Sequence, residues 1–250
     1  MLQSVVENRQ SFPAYPELQR ARVLITGLGA MRGFEVARAF ADQGARLVIQ
    51  QQETSPESEI MLEILAQTAE EIQVLGRPLS HESDAVDFAQ RAAQAYGGLD
   101  VVINLISGSD TPLRAESVQD LEDRVSETLG AACIVGKVAA NRMRLTWSEG
   151  LIFNVLSPTS PATRSGRAFD AMARGALAAM TRSEAQKWAA EGIRVNSVGP
   201  CDDAAAPSSG RYLTRETEIA ALAMFLASQR GRSLSGHIFD LAHVSGGRCI

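Results

Sequence analysis

Three side chains near the middle of the chain have types that could do chemistry: Ser157, Asp170 and Arg174. Ser157 ends the apolar run GLIFNVLS (150–157), where a hydroxyl can meet a bound molecule or simply cap a strand. Asp170 and Arg174 stand four residues apart in AFDAMARGALAAM. On a helix they share a face, and an ion pair worth about 0.3–0.5 kcal/mol is the expected outcome. With an unperturbed pKa of about 3.9, Asp170 is a carboxylate at neutral pH and cannot protonate an alkoxide. A second group is the glycine turn Gly27, Gly29 and Gly33 after the run RVLIT (22–26). A dinucleotide site needs such glycines because the backbone approaches the pyrophosphate closely and a Cβ would intrude. A turn that only packs the next helix onto a sheet is the plainer reading. The run RLVIQ (46–50) ends in Gln50, Gln51 and Gln52, which offer neither an acid for a ribose hydroxyl nor a base for a 2′-phosphate. Metal chemistry has no candidates, since Cys133, Cys201 and Cys249 are isolated and His81, His237 and His243 are scattered.

The elements that must position these groups alternate. Residues 1–20 carry Pro13 and Pro16 and little periodicity, which predicts an extended arm. Then come a strand at 22–26, the glycine turn, an amphipathic helix (MRGFEVARAFADQG) and a strand at 46–50, which together make a βαβ unit. Helices are expected at 57–74 and 84–96, a fourth strand at 100–105 and a long helix at 118–145. The strand at 150–157 leads into the helix carrying Asp170 and Arg174. A strand at 194–198, a helix near 218–228 and a strand at 237–241 finish the series. No linker or repeat divides it, so residues 21–250 are expected to form one doubly wound α/β domain. Its core is a parallel sheet of about seven strands, with helices on both faces.

A formal net charge of −5 argues against a nucleic-acid surface, and 45% apolar residues is ordinary for a globular protein. No apolar run reaches membrane-spanning length and the polar N-terminus is not a signal peptide, so a cytoplasmic protein with reduced thiols is expected. Of 24 basic residues only Lys137 and Lys187 are lysines, and the only tyrosines are Tyr15, Tyr96 and Tyr212.

The stretch from Ser157 to Ala185 resembles the active-site segment of the short-chain dehydrogenase/reductase family, where Tyr-x-x-x-Lys begins a tail K-G-A-L-x-x-L-T-R-S-x-A. Here Gly175-Ala176-Leu177, Met180-Thr181-Arg182-Ser183 and Ala185 fix the register. Ser157 then falls on the family's serine, Asp170 on its tyrosine, Arg174 on its lysine and Thr128 on the asparagine of its proton relay. Against the family's T-G-x-x-x-G-x-G, Thr26, Gly27 and Gly33 match, but Met31 stands for the middle glycine. The N-N-A-G motif appears as Asn104-Leu105-Ile106-Ser107, with Asn104 able to brace the central strand as well as serve a cofactor. After Pro200 the family's substrate lid is mostly missing.

The resemblance implies the fold together with a loss of its chemistry: no catalytic residue and no dinucleotide in this chain. Family members associate through the two long helices and the last strand. The small residues at Gly130, Ala131, Ala132, Gly136, Ala139 and Ala140, and at Ala171, Gly175, Ala176 and Ala179, suit such contacts. The expected partner is an active paralogue carrying NAD in a heterotetramer, bound through 118–145, 165–190 and the C-terminal strand. Two other readings stay open. One is a halohydrin-dehalogenase-like enzyme, a group that uses Ser-Tyr-Arg; the other is a ligand-sensing module on the same fold.

Overall fold

In the computed structural model the apolar run at Arg22 continues through the first glycine to form β1 (Arg22–Leu28). The structure describes residues 13–29, 32–51, 55–76, 79, 82–108, 115, 117–159, 163–200, 213 and 215–241. After β1 come α1 (Phe34–Ala41), β2 (Arg46–Gln51), α2 (Pro56–Ala66), β3 (Glu71–Gly76), α3 (Glu82–Gln94) and β4 (Val101–Ile106). The second half holds α4 (Val118–Leu145), β5 (Leu151–Leu156), α5 (Arg164–Trp188), β6 (Arg194–Pro200), α6 (Glu216–Ala227) and β7 (Ile238–Leu241). The strands form one parallel sheet in the order β3-β2-β1-β4-β5-β6-β7, the expected doubly wound arrangement. Helices α1, α2 and α6 pack together on one face, and α3, α4 and α5 on the other.

β4 and β5 are buried along their whole length and read as unbroken apolar runs, as parallel strands covered on both faces must. The long helices start where side chains can satisfy their first amides. Ser117 and Asp120 form a reciprocal capping box at α4, and Thr163 Oγ1 accepts the Gly166 amide at 3.0 Å at α5.

Two expectations are corrected. The helix predicted at 57–74 stops at Ala66, and Glu71–Gly76 forms the edge strand β3, hydrogen-bonded only to β2. Its side chains are exposed or half-buried, so it lacks the apolar run that marks the inner strands. Of the predicted arm, residues 1–12 lie outside the described residues. The remainder folds back as a single 3₁₀ turn at Pro16–Leu18 that buries Tyr15 and Leu18 in the core. The Tyr15 amide donates to Gln43 Oε1 at 2.7 Å, which holds this segment against the end of α1. Among the described residues no helix is long and apolar enough to cross a membrane.

Candidate functional site

Strand order reverses between β1 and β4, so the crevice where folds of this kind bind ligands opens outside their carboxyl ends. One wall is the glycine turn. β1 enters it through Gly27 at φ 74°, and Gly33 at φ 83° closes it as the N-cap of α1. Gly29 and Arg32 exchange backbone hydrogen bonds of 3.1 and 3.2 Å across it. A Cβ on residue 27 would lie 2.0 Å from the Leu105 carbonyl oxygen, and one on residue 33 would lie 2.1 Å from Leu105 Cδ1. Gly27 is therefore required by packing against the backbone of β4, and Gly33 by its left-handed φ, whatever else the turn does.

Several donors of this turn are engaged by the chain itself. Gln50, buried at the end of β2, accepts the Gly27 amide at 2.7 Å. Glu216, at the start of α6, accepts the Glu35 amide at 2.9 Å, and the Gly33 and Val36 amides lie near enough to the same carboxylate to favour its charge. The first turn of a helix is where this class of fold offers amides to a pyrophosphate. Here those amides meet a side-chain carboxylate, and Leu105 occupies the space beside Gly33. Gln51 bonds Ser58 on α2, while Met31 and Gln52 lie outside the described residues. Asn104 has the bracing role: it accepts from Thr26 Oγ1 at 2.9 Å and donates to Asn154 Oδ1 at 2.7 Å. It also approaches the Ala132 carbonyl at 3.5 Å. Thr26, Asn104 and Asn154 are register partners on β1, β4 and β5, so one buried polar line ties three strands to α4.

Burial pushes the Glu216 carboxyl above the ordinary carboxylate range and the charge of Glu35 adds to this, against the pull of the three amides. The unfolded carboxyl deprotonates first, so stability falls as pH rises from the ordinary carboxylate range through the folded pKa and then levels. Glu216→Gln keeps an acceptor without the charge. Urea unfolding at about pH 4 and about pH 8 is expected to show the variant gaining on the wild type at the higher pH. An offset independent of pH would contradict this placement of Glu216.

Ser157 follows β5 and is buried, its amide donating to the Ile106 carbonyl at 2.9 Å. Gly108 packs against the same turn, since a Cβ there would fall 2.8 Å from the Ser157 carbonyl oxygen. The loops after β4 and β5 thus close on each other. Asp170 lies on the inner face of α5 at 4% exposure. It accepts the Thr159 amide at 3.0 and 3.2 Å and Thr159 Oγ1 at 2.6 Å, which ties α5 to the loop that begins at Ser157.

The expected pair of Asp170 with Arg174 is not among the ion pairs of the described residues. Arg174 Nη2 lies 2.5 Å from Asp240 Oδ1 on β7, an ion contact without hydrogen-bond geometry at that oxygen, and Nη1 donates to the Pro200 carbonyl at 3.1 Å. A tertiary carboxylate and the end of β6 outweigh the weak local pairing. Thr128 sits half-buried on α4 beside the inward-facing Leu129. Of the tyrosines, Tyr15 is in the core and Tyr96 bonds the Leu47 carbonyl at 3.3 Å near the opposite end of the sheet. Burial, aided by the Glu71 charge, pushes the Tyr96 phenol up to about 12, the wrong direction for proton transfer at neutral pH. Tyr212 lies outside the described residues.

The small residues of the two long helices separate into two sets. Ala132, Gly136, Ala139 and Ala140 are buried, and a Cβ on residue 136 would meet Ile152 at 3.6 Å, so these pack on the sheet. Ala171, Gly175, Ala176 and Ala179 are exposed and Gly130 and Ala131 half-buried, with open space where a Cβ on 130 or 175 would stand.

A family model described as enoyl-(acyl carrier protein) reductase matches residues 29–247. The chain belongs to the short-chain dehydrogenase/reductase family, a family of oxidoreductases. It is 29% identical over 236 residues to an uncharacterized oxidoreductase of Mycobacterium tuberculosis, an alignment covering 87% of this chain and 89% of the relative. It is 27% identical over 233 residues to cis-4-hydroxycyclohexanecarboxylate dehydrogenase of Sinomonas cyclohexanicum, covering 86% and 92%. A solved structure of hydroxysteroid dehydrogenase from Escherichia coli shares the fold, with a TM-score of 0.73 at 23% identity over 93% of this chain and 99% of that one.

Proposed function

We propose that this chain is a non-catalytic subunit of a hetero-oligomeric, NAD-dependent short-chain alcohol or hydroxyacyl-CoA dehydrogenase, assembled with an active paralogue that carries the NAD. The observation that carries this reading is the self-occupied glycine turn: Gln50 on the Gly27 amide, Glu216 on the first turn of α1 and Leu105 beside Gly33. A nicotinamide dinucleotide does not fit there without displacing a buried amide, a carboxylate and a packed leucine. The two positions that hold the family's tyrosine and lysine support the same reading, because Asp170 and Arg174 serve as ties between elements. Arg174 engaged with Asp240 also weighs against a dehalogenase using it at a halide site.

The exposed small residues of α5, the half-buried Gly130 and Ala131 of α4 and the edge strand β7 are the surfaces proposed to meet the paralogue. The pattern is similar to that of 2-[hydroxy(phenyl)methyl]succinyl-CoA dehydrogenase, whose two subunits differ in this way, although no residue here selects an aromatic CoA ester. Native mass of the chain, alone and co-expressed with a neighbouring active dehydrogenase, tests the proposal. A mixed tetramer with NAD bound through the partner only is expected. A homotetramer that ignores the paralogue, or saturable NAD binding by the isolated chain, would overturn it.

A further inference from the structure

The other end of the sheet carries a feature that the crevice does not explain. Near the amino ends of β5, β6 and β7 lies a cavity of about 630 Å³, lined by Arg182, Arg194, Arg232, Glu149, Gln186 and Ser235 among others. Strands of six residues rise about 3.3 Å per residue and the cavity lies two or more strands to the side of β1, which places it more than about 20 Å from the glycine turn. We infer that this cavity is a binding site for a small organic oxyanion, a phosphate ester or a polycarboxylate.

The argument rests on unbalanced guanidinium groups. Three arginines face the cavity with one carboxylate among them, in a chain whose net charge is −5. That carboxylate, Glu149, is bound to Arg232, which also donates to Gln229 Oε1 at 3.3 Å. Arg194 spends Nη1 on the carbonyls of Leu226 near the end of α6 and of Gly231 in the 3₁₀ turn that follows, the latter at 3.0 Å, and among the described residues no carboxylate is hydrogen-bonded to it. Its remaining nitrogens are not among the buried atoms lacking a partner, so they reach open space. Burial holds the Arg194 pKa below the usual guanidinium value and Arg232 pushes it the same way, only partly offset by Glu149. Two like charges thus sit close together in a partly desolvated setting. Arg182, exposed on α5, makes no hydrogen bond or ion pair with any described residue.

Part of the arrangement is structural, since Arg194 satisfies the Leu226 carbonyl in the last turn of α6. That role uses one of its terminal nitrogens and explains neither Arg182 nor the volume. Planar guanidinium forks match phosphate and carboxylate oxygens, and Gln186 and the Ser235 hydroxyl add neutral donors. The volume exceeds a bare ion and lies within the range of small-molecule sites, which favours an organic anion.

Thermal unfolding of the full chain in inorganic phosphate, citrate or sodium chloride at matched ionic strength is the test, with calorimetric titration of the same anions. Phosphate, citrate or both are expected to raise Tm saturably above the chloride baseline, and whichever acts identifies the ligand class. Arg182→Glu is expected to weaken that binding by about tenfold or more while leaving Tm in chloride unchanged, because among the described residues the side chain has no hydrogen-bond or ion-pair partner to lose. Should Arg182→Glu lower Tm in chloride, Arg182→Gln titrated calorimetrically is expected to show the same weakening. The inference is overturned if neither anion binds saturably, or if the Arg182 variants bind as tightly as the wild type.

Discussion

Asp170→Ala is expected to destabilise the chain by about 2–4 kcal/mol, the cost of leaving buried donors unpaired. The carboxylate is 4% exposed and Thr159 2% exposed, and the Thr159 amide and hydroxyl both donate to it. Truncation strands those two donors where water has little access, and it frees the loop after β5 from α5. Asp170→Asn keeps the size and one acceptor, so a loss of roughly half as much is expected. Thr159→Val removes only the hydroxyl. A double-mutant cycle of Thr159→Val with Asp170→Ala is expected to give a coupling of about 1–3 kcal/mol. Urea midpoints at unchanged m-value measure each term. A loss below about 1 kcal/mol for Asp170→Ala would mean that the carboxylate does not hold the loop. The result bears on function, because a residue retained for this tie is under no requirement to move protons.

The order of elements was legible because the inner strands are short apolar runs and the long helices are bounded by caps. α4 spans Val118–Leu145, the range expected of it. β3 escaped notice because an edge strand buries little, so Glu71–Gly76 carries no apolar run and reads as a continuation of the helix before it. The crevice was legible only as a set of replaced residues. That Met31 and the glutamines do not suit a dinucleotide is a statement about residue types. What stands in for the ligand depends on contacts far apart in sequence: Gln50 reaches the Gly27 amide across neighbouring strands, and Glu216 reaches Glu35 from 181 residues away. No local periodicity carries such information. Arg174 makes the same point in reverse. Its neighbour four residues away was the natural partner on an isolated helix, but β7 brings Asp240 within 2.5 Å. Sorting the small residues of α4 and α5 into sheet-facing and outward sets likewise needed the helix rotation that only packing fixes.

Gly27→Ala is expected to cost about 3 kcal/mol or more, whereas Gly29→Ala should stay within about 0.5 kcal/mol of the wild type. The contrast isolates the packing requirement at residue 27. At residue 27 a side chain would have to accept φ 74° and would press 2.0 Å from the Leu105 carbonyl oxygen, a backbone atom of a central strand that cannot move aside cheaply. At residue 29 φ is not left-handed, and a Cβ would meet only Arg32 Cβ at 3.8 Å, an ordinary contact. Residue 29 falls on a variable position of the family's T-G-x-x-x-G-x-G pattern, so Gly29→Ala serves as the control for the strain at residue 27. Loss of stability confined to Gly27→Ala, with no ligand lost from either variant, is the outcome expected of a turn whose amides and space the chain has already taken. Should Gly29→Ala prove neutral in stability yet abolish binding of a nucleotide to the isolated chain, the turn would be a working site and the non-catalytic reading would fall with it.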